Sequence, residues 1–235
     1  DDWVITGQKM FITNGTGADV ALVFARTSDD GGRGITAFLV PTDSAGFTAN
    51  TVHGKLGLRG QATAELVLDG VRVPDSARLG EVGKGLGIAL GALTKGRISV
   101  AAGAVGVAQA ALSAATQYAG ERVQFGSPIA SRQLVQELLA ESAVEVEAAR
   151  LLTWRAAQLA ERGATRQELT MASSMAKFYA SETAVRVANN ALQVFGGYGY
   201  IDEYPVGKYL RDARVMTLYE GTSHILKLLI GRAET

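Results

Sequence analysis

The chain has 235 residues, 47% of them hydrophobic and 20% charged, which is enough apolar content for one large or two ordinary packed domains and too much for a disordered segment. Lys plus Arg and Asp plus Glu each number 23, so no net field singles out nucleic acid or an anionic membrane as a partner. The absence of cysteine excludes disulfides and thiolate nucleophiles. With only two histidines, His53 and His224, no metal centre or Ser-His-Asp set is expected.

The first residues, DDWVITGQKM, carry no Met and read as the inside of a strand, which suggests a piece of a longer protein or a processed chain. Residues 1–78 are expected to form a β domain. Short Val/Leu/Phe-rich runs (DVALVFAR, ITAFLVP, AELVLDGVRVP) are separated there by clusters of Gly, Asp, Ser and Asn. In the last run Glu65, Val67 and Asp69 alternate with Leu66 and Leu68, giving one dry and one mixed face. Such closely spaced runs predict a partial antiparallel sandwich or barrel. The connecting VPDSARLGEVGKG imitates a phosphate loop through Gly83, Gly85 and Gly87. No strand feeds it directly and no βαβ pattern follows, so it is read as a linker.

Residues 82–235 are expected to be helical. Leu138, Leu139, Val146, Ala149, Leu152, Ala156 and Leu159 recur mostly at intervals of three, four and seven. ERGAT (161–165) breaks the pattern, and a second long helix runs to Phe195. GGYGYIDEYP (196–205) is a loop, followed by a short helix over 206–218 and a last one from about Gly221. Abundant Ala lets helix axes approach closely. The fold class is therefore α+β, an antiparallel β domain followed by an antiparallel helical bundle. The apolar stretch from Ile98 to Ala108 is too short and too rich in Gly and Ala to span a bilayer, and no signal peptide is visible.

The turn TLYEGTSHIL (217–226) places Glu220 in otherwise uncharged surroundings. Its carboxylate could simply favour the following helix N-terminus, worth about 0.3–1 kcal/mol, with Thr222 or Ser223 as the cap. It could also be a base. The short motif leaves both open. In the same way Arg97 alone reads as a solvated helix charge and Phe11 as core. Arg122 reads as a favourable helix-end cation, and Gly196–Gly197 as a helix stop.

Seven segments occur in order along the chain: GQKMFITNG (7–15), LDGVRVP (68–74), GRISVAAGAVGVAQ (96–109), ERVQFGSPI (121–129), EAARLLTWRAA (147–157), QVFGGYGY (193–200) and YEGTS (219–223). Together they resemble the C-terminal part of the acyl-CoA dehydrogenase family, and GRI and EAARLLTWRAA are most similar to its short-chain branch. The family's N-terminal helical domain and the first strands of its β domain lie outside the resemblance.

The resemblance implies FAD-dependent α,β-dehydrogenation of an acyl-CoA thioester to a trans-2-enoyl-CoA, within fatty-acid β-oxidation. Glu220 would be the general base that takes the α proton while flavin N5 receives the β hydride. Tyr219 and Gly221 would flank the substrate, and Arg97 would lie near base and acyl-CoA. Gly96 stands where some members carry the base, so Glu220 has no competitor there. Thr94 stands where relatives often carry an acid that meets CoA. Phe11, in place of a more usual Trp, and Thr13 would lie against the isoalloxazine, with Thr222 and Ser223 bonding the flavin. Arg122, Gln124, Phe125, Gln133, Gln193, Gly196 and Gly197 would hold the pyrophosphate and adenosine of a neighbouring subunit's cofactor. His224, where Gln or Glu is more usual, receives no role. The implied partners are an acyl-CoA, an electron-transfer flavoprotein and further copies in a homotetramer, with bacterial cytoplasm as the default location. Two rivals stand beside this reading: a nitroalkane-oxidase-like flavoenzyme, which the retained Glu220 disfavours, and a non-catalytic assembly or binding module.

Overall fold

The computed structural model describes residues 2–235 and comprises two compact units, residues 1–92 and 93–235. The first unit is built from β1 (Asp2–Thr13), β2 (Val20–Arg26), β3 (Ile35–Pro41), β4 (Phe47–Thr51), β5 (Thr63–Pro74) and β6 (Arg78–Leu79). They form two three-stranded sheets of order β1-β5-β4 and β2-β3-β6, every pair antiparallel. Ile5, Leu66, Leu68, Val71 and Val73 of one sheet pack against Val23, Phe38 and Val40 of the other. Of the two shapes expected, this is the sandwich; no barrel closes among the described strands. The alternation seen in sequence holds, since Leu66 and Leu68 are buried and Asp69 is exposed.

The linker is more structured than expected. Its β6 pairs with β3, and the Gly83 amide donates to Thr36 Oγ1 at 3.0 Å. Gly83 has φ +78, and a Cβ there would lie 2.3 Å from the Arg33 carbonyl oxygen. A Cβ on Gly85 would meet the Thr36–Ala37 backbone at 2.7–2.8 Å. Close packing thus explains two of the three glycines that imitated a phosphate loop.

Five helices follow: α1 (Gly85–Glu121), α2 (Gln133–Glu161), α3 (Arg166–Phe195), α4 (Val206–Met216) and α5 (Ser223–Glu234), with a small ribbon of β7 (Val123–Gln124) and β8 (Ser127–Pro128). Helix α3 is the hub, packing against α2, α4 and α5. The break at ERGAT is a turn through Gly163 (φ +70) into a capping box, in which Thr165 and Glu168 satisfy each other's backbone amides. Gly196, at φ +61, stops α3 as expected, although the following residues to Tyr200 form a short 3-10 helix instead of a loop.

Alanines mesh the helices. Ala101, Ala104, Ala108, Ala111, Ala115 and Ala119 of α1 are buried in the same cluster as Ala172, Ala176, Ala180, Ala184, Ala188 and Ala191 of α3. One expectation is corrected here. By length and composition α1 is apolar enough to cross a bilayer, with an 18-residue window of mean hydropathy 1.6. The apolar run is bounded by Arg97 before Ile98 but continues past Ala108 through further Ala, Leu and uncharged residues of α1, and its buried alanine stripe serves helix packing.

Such close meshing leaves no room for larger side chains. Ala184→Leu is expected to destabilise the fold by about 1–3 kcal/mol through overpacking, read as a lower midpoint in urea denaturation.

Candidate active site

Glu220 sits in the turn between α4 and α5, with a left-handed backbone (φ 54), followed by Gly221 at φ +96. A left-handed non-glycine residue costs about 1–3 kcal/mol and persists only where its surroundings over-determine it. Those surroundings are side chains of α1, α3 and α5. Arg97 of α1, only 6% exposed, donates from Nε to the Glu220 carbonyl at 3.2 Å and from Nη1 to Ser174 Oγ at 3.3 Å. Lys177 of α3 donates from Nζ to the Gly221 carbonyl at 2.7 Å. The Ser223 amide bonds the Thr217 carbonyl at 3.0 Å, and its Oγ donates to Glu182 at 2.5 Å. Thr222 is the N-cap of α5, its hydroxyl accepting from the Ile225 amide. The capping reading is therefore right for Thr222, whereas Glu220 makes no such bond.

The carboxyl itself is left unsatisfied. Glu220 Oε2 is buried without a hydrogen-bond partner, alone in this among the buried side-chain polar atoms of the described residues. It packs on Gly96: a Cβ there would lie 2.5 Å from Oε2 and 2.9 Å from the carboxyl carbon. Only glycine leaves that space. Burial pushes the Glu220 carboxyl above the usual carboxylate range, opposed by the charges of Arg97 and then Lys177. Burial also lowers Arg97 and raises Tyr219, and Tyr219 is raised further by Glu220. Lys177 is brought down to about 8 by its own burial and by Arg97, against the pull of Glu182 and Glu220. A buried carboxyl oxygen without a partner can chemically accept a proton, and it caps no helix.

The structure thus gathers Glu220, Arg97, Tyr219 and Gly221 as expected. Tyr219 is half-buried against the helical core. It also adds Lys177, Ser174 and Glu182, which were not singled out in the sequence. A signal existed: Lys177 interrupts the small-residue face Ser173, Ser174, Ala176, Ala180, Ser181, all of it buried, and a cation on such a face must be held by something.

Of the other expected residues, Thr222 and Ser223 adjoin the turn and the rest lie elsewhere. Thr222 and Ser223 border a pocket of about 280 Å³ with Glu182, Arg214 and His224. Arg122, Gln124 and Gly197 line a cleft of about 580 Å³ with Tyr198, whose ring lies 5.1 Å beneath the Arg122 guanidinium. Phe125, 94% exposed with φ 51, stands beside it under Arg132. Gln133 and Gln193 are exposed at the start of α2 and the end of α3, and a Cβ on Gly196 or Gly197 would meet nothing. Along α3, Gln193 is about 24 Å from Lys177 at 1.5 Å per residue. One chain therefore does not bring this group to Glu220. In the β unit, Lys9 pairs with Leu66 and Ile12 with Ala64, so β1 carries an extra residue opposite Glu65. Phe11 falls in this bulge at φ 60 and is 71% exposed, which overturns the core alternative. Thr13 pairs with Thr63 and is exposed. A cavity of about 880 Å³ is lined by residues of α2, α3 and α5 and reaches Ser174, the partner of Arg97. Among the described residues no group of His, Asp and Glu has metal-site geometry.

Residues 83–235 match the family model "Acyl-CoA dehydrogenase, C-terminal domain" and residues 1–71 match "Acyl-CoA dehydrogenase, middle domain". The chain is 44% identical to the human mitochondrial short-chain specific acyl-CoA dehydrogenase, over 98% of its own length and 55% of the relative's. It is similar to the solved structure of butyryl-CoA dehydrogenase from Megasphaera elsdenii, at TM-score 0.96 and 43% identity, over 99% of this chain and 60% of that one. It is also similar to a glutaryl-CoA dehydrogenase from Mycobacterium smegmatis in complex with FADH2, at TM-score 0.93 and 39% identity, over 100% of this chain and 58% of that one. The chain thus spans little more than half the length of these relatives.

Two outcomes test the geometry. Gly96→Ala should expel the carboxyl toward water and lower the Glu220 titration midpoint, followed by NMR of [13C]Glu-labelled chain. An unchanged midpoint would contradict the packing. Because folding raises the Glu220 pKa, its ionisation destabilises the fold as pH rises above the ordinary carboxylate range. Glu220→Gln should therefore melt higher than the parent at about pH 7.5, with the gap closing at about pH 4 and below, where the carboxyl is protonated folded or unfolded.

Proposed function

Because this chain belongs to the acyl-CoA dehydrogenase family, we propose that the protein removes a proton and a hydride from the α and β carbons of a short acyl-CoA thioester, with Glu220 as the base. The observation that carries the reading is the buried, unpartnered Glu220 Oε2 facing Gly96. An acyl-CoA α proton is weakly acidic, so a base whose pKa is raised by burial is the better match for it. The acyl chain itself would complete the exclusion of water. Arg97 and Lys177 act on the backbone of the turn and leave the buried oxygen free to accept the proton. Gly221 keeps a φ that side chains avoid, so the carboxyl leaves the turn at a fixed angle.

The side chains present fit a flavin dinucleotide. Phe11 offers an exposed ring from a strained bulge, a surface for a planar partner. Arg122, Gln124 and the open glycines 196 and 197 offer a guanidinium and accessible backbone to a pyrophosphate. The bound flavin would supply the hydride acceptor. Since Gln193 of the Arg122 group and Lys177 beside Glu220 stand about 24 Å apart along one α3, the reading includes copies of the chain that complete each other's flavin sites, in a homotetramer. An electron-transfer flavoprotein would take the electrons onward.

The test uses the full-length product that contains this chain. It should purify yellow and bleach on anaerobic addition of butyryl-CoA. Glu220→Gln should keep the colour and slow bleaching by several orders of magnitude. A colourless protein, or a variant that bleaches at the parent rate, would overturn the assignment.

A further inference from the structure

Lys177 is 0% exposed. An ammonium removed from water costs several kcal/mol unless it is well compensated, and lysine is among the residues least often fully buried. Its visible compensation is slight. Nζ donates to the Gly221 carbonyl, and no ion pair to Lys177 occurs among the described residues. The charged groups around it are Arg97 from α1, Glu182 from its own helix and Glu220 from the turn. A lysine that served only to fill space would be replaced at less cost by an apolar side chain of similar length.

Its position explains what it does. Consecutive carbonyls of the left-handed pair Glu220–Gly221 are each held by a buried cation, Arg97 on the first and Lys177 on the second. Both cations also favour the ionised carboxyl, which burial opposes. We propose that Lys177 is a positioning residue for Glu220, clamping the turn that aims the carboxyl and supplying positive charge that lets a base sealed from water give up and regain its proton. The catalytic meaning of this role rests on the function proposed above; the clamp and the charge coupling do not. A neutral side chain at 177 would leave a carboxyl that holds its proton too firmly to start the reaction. The loss of either cation would also free a turn whose backbone is intrinsically unfavourable.

The test needs neither flavin nor acyl-CoA. In [13C]Glu-labelled chain, with the Glu220 signal assigned through Glu220→Gln, the carboxyl titration is compared between the parent, Lys177→Met and Lys177→Gln. Both variants should move the Glu220 midpoint to higher pH, a several-fold gain in proton affinity. Folded variants with the parent midpoint and only a lower melting temperature would overturn the proposal. If neither folds, the reciprocal measurement decides. Coupled sites report the same interaction from either side, so in Glu220→Gln the Lys177 amine, followed through [13C]Lys, should titrate at lower pH than in the parent. An unchanged amine midpoint there would refute the coupling. The two readings fail separately. Coupling with a still-active Glu220→Gln enzyme sinks the assignment of Glu220 as the base alone. An inactive Glu220→Gln enzyme without coupling sinks the role of Lys177 alone.

Discussion

The site depends on one unfavourable arrangement, a carboxyl oxygen taken out of water and given nothing to bond. Left to itself, such a group would turn outward or keep its proton. It stays because the backbone beneath it is fixed at three points: Arg97 on the Glu220 carbonyl, Lys177 on the Gly221 carbonyl and Ser223 on the Thr217 carbonyl. Three elements meet there, α1, α3 and the start of α5. The helical unit is therefore the tool that holds the turn, and its alanine-rich interfaces let helices approach closely enough for short side chains and one buried lysine to reach it.

Two opposing effects set the basicity of Glu220. Burial favours the neutral acid, while Arg97 and Lys177 favour the anion, and burial is the larger. Under the proposed function, the balance would suit a group that is charged before the reaction and neutral after it. Gly96 belongs to the same balance, because any side chain there would occupy the space of the carboxyl and send it toward solvent. The glycine in the family-like GRI segment and the glutamate of YEGTS thus form one feature, although more than a hundred residues separate them.

Much of the fold was legible in the chain because periodicity is local. The alternation around Leu66 and Leu68, the break at ERGAT and the helix stop at Gly196 each follow from a few adjacent residues. Glu220, Arg97, Tyr219 and Gly221 were legible as a group only through resemblance, since nothing in spacing brings residue 97 to residue 220. What escaped was of two kinds. Lys177 was not singled out, because burial is a property of packing and not of its neighbours in sequence. Phe11 looked like core, because a bulge that adds one residue to β1 cannot be seen until the register with β5 is known. The linker was rightly not read as a phosphate loop, but what its glycines do was hidden for a similar reason: at Gly83 and Gly85 they admit another backbone, and only the fold shows which.

The most direct test isolates proton removal from hydride transfer. An acyl-CoA whose β position carries sulfur in place of carbon has no β hydride to give, so only its α proton can move. Incubated in D2O with the full-length product, it should exchange its C2 hydrogens, at a rate that rises with pH through the Glu220 titration and vanishes in Glu220→Gln. Exchange at the parent rate in that variant would contradict the account, because some other group would then be the base.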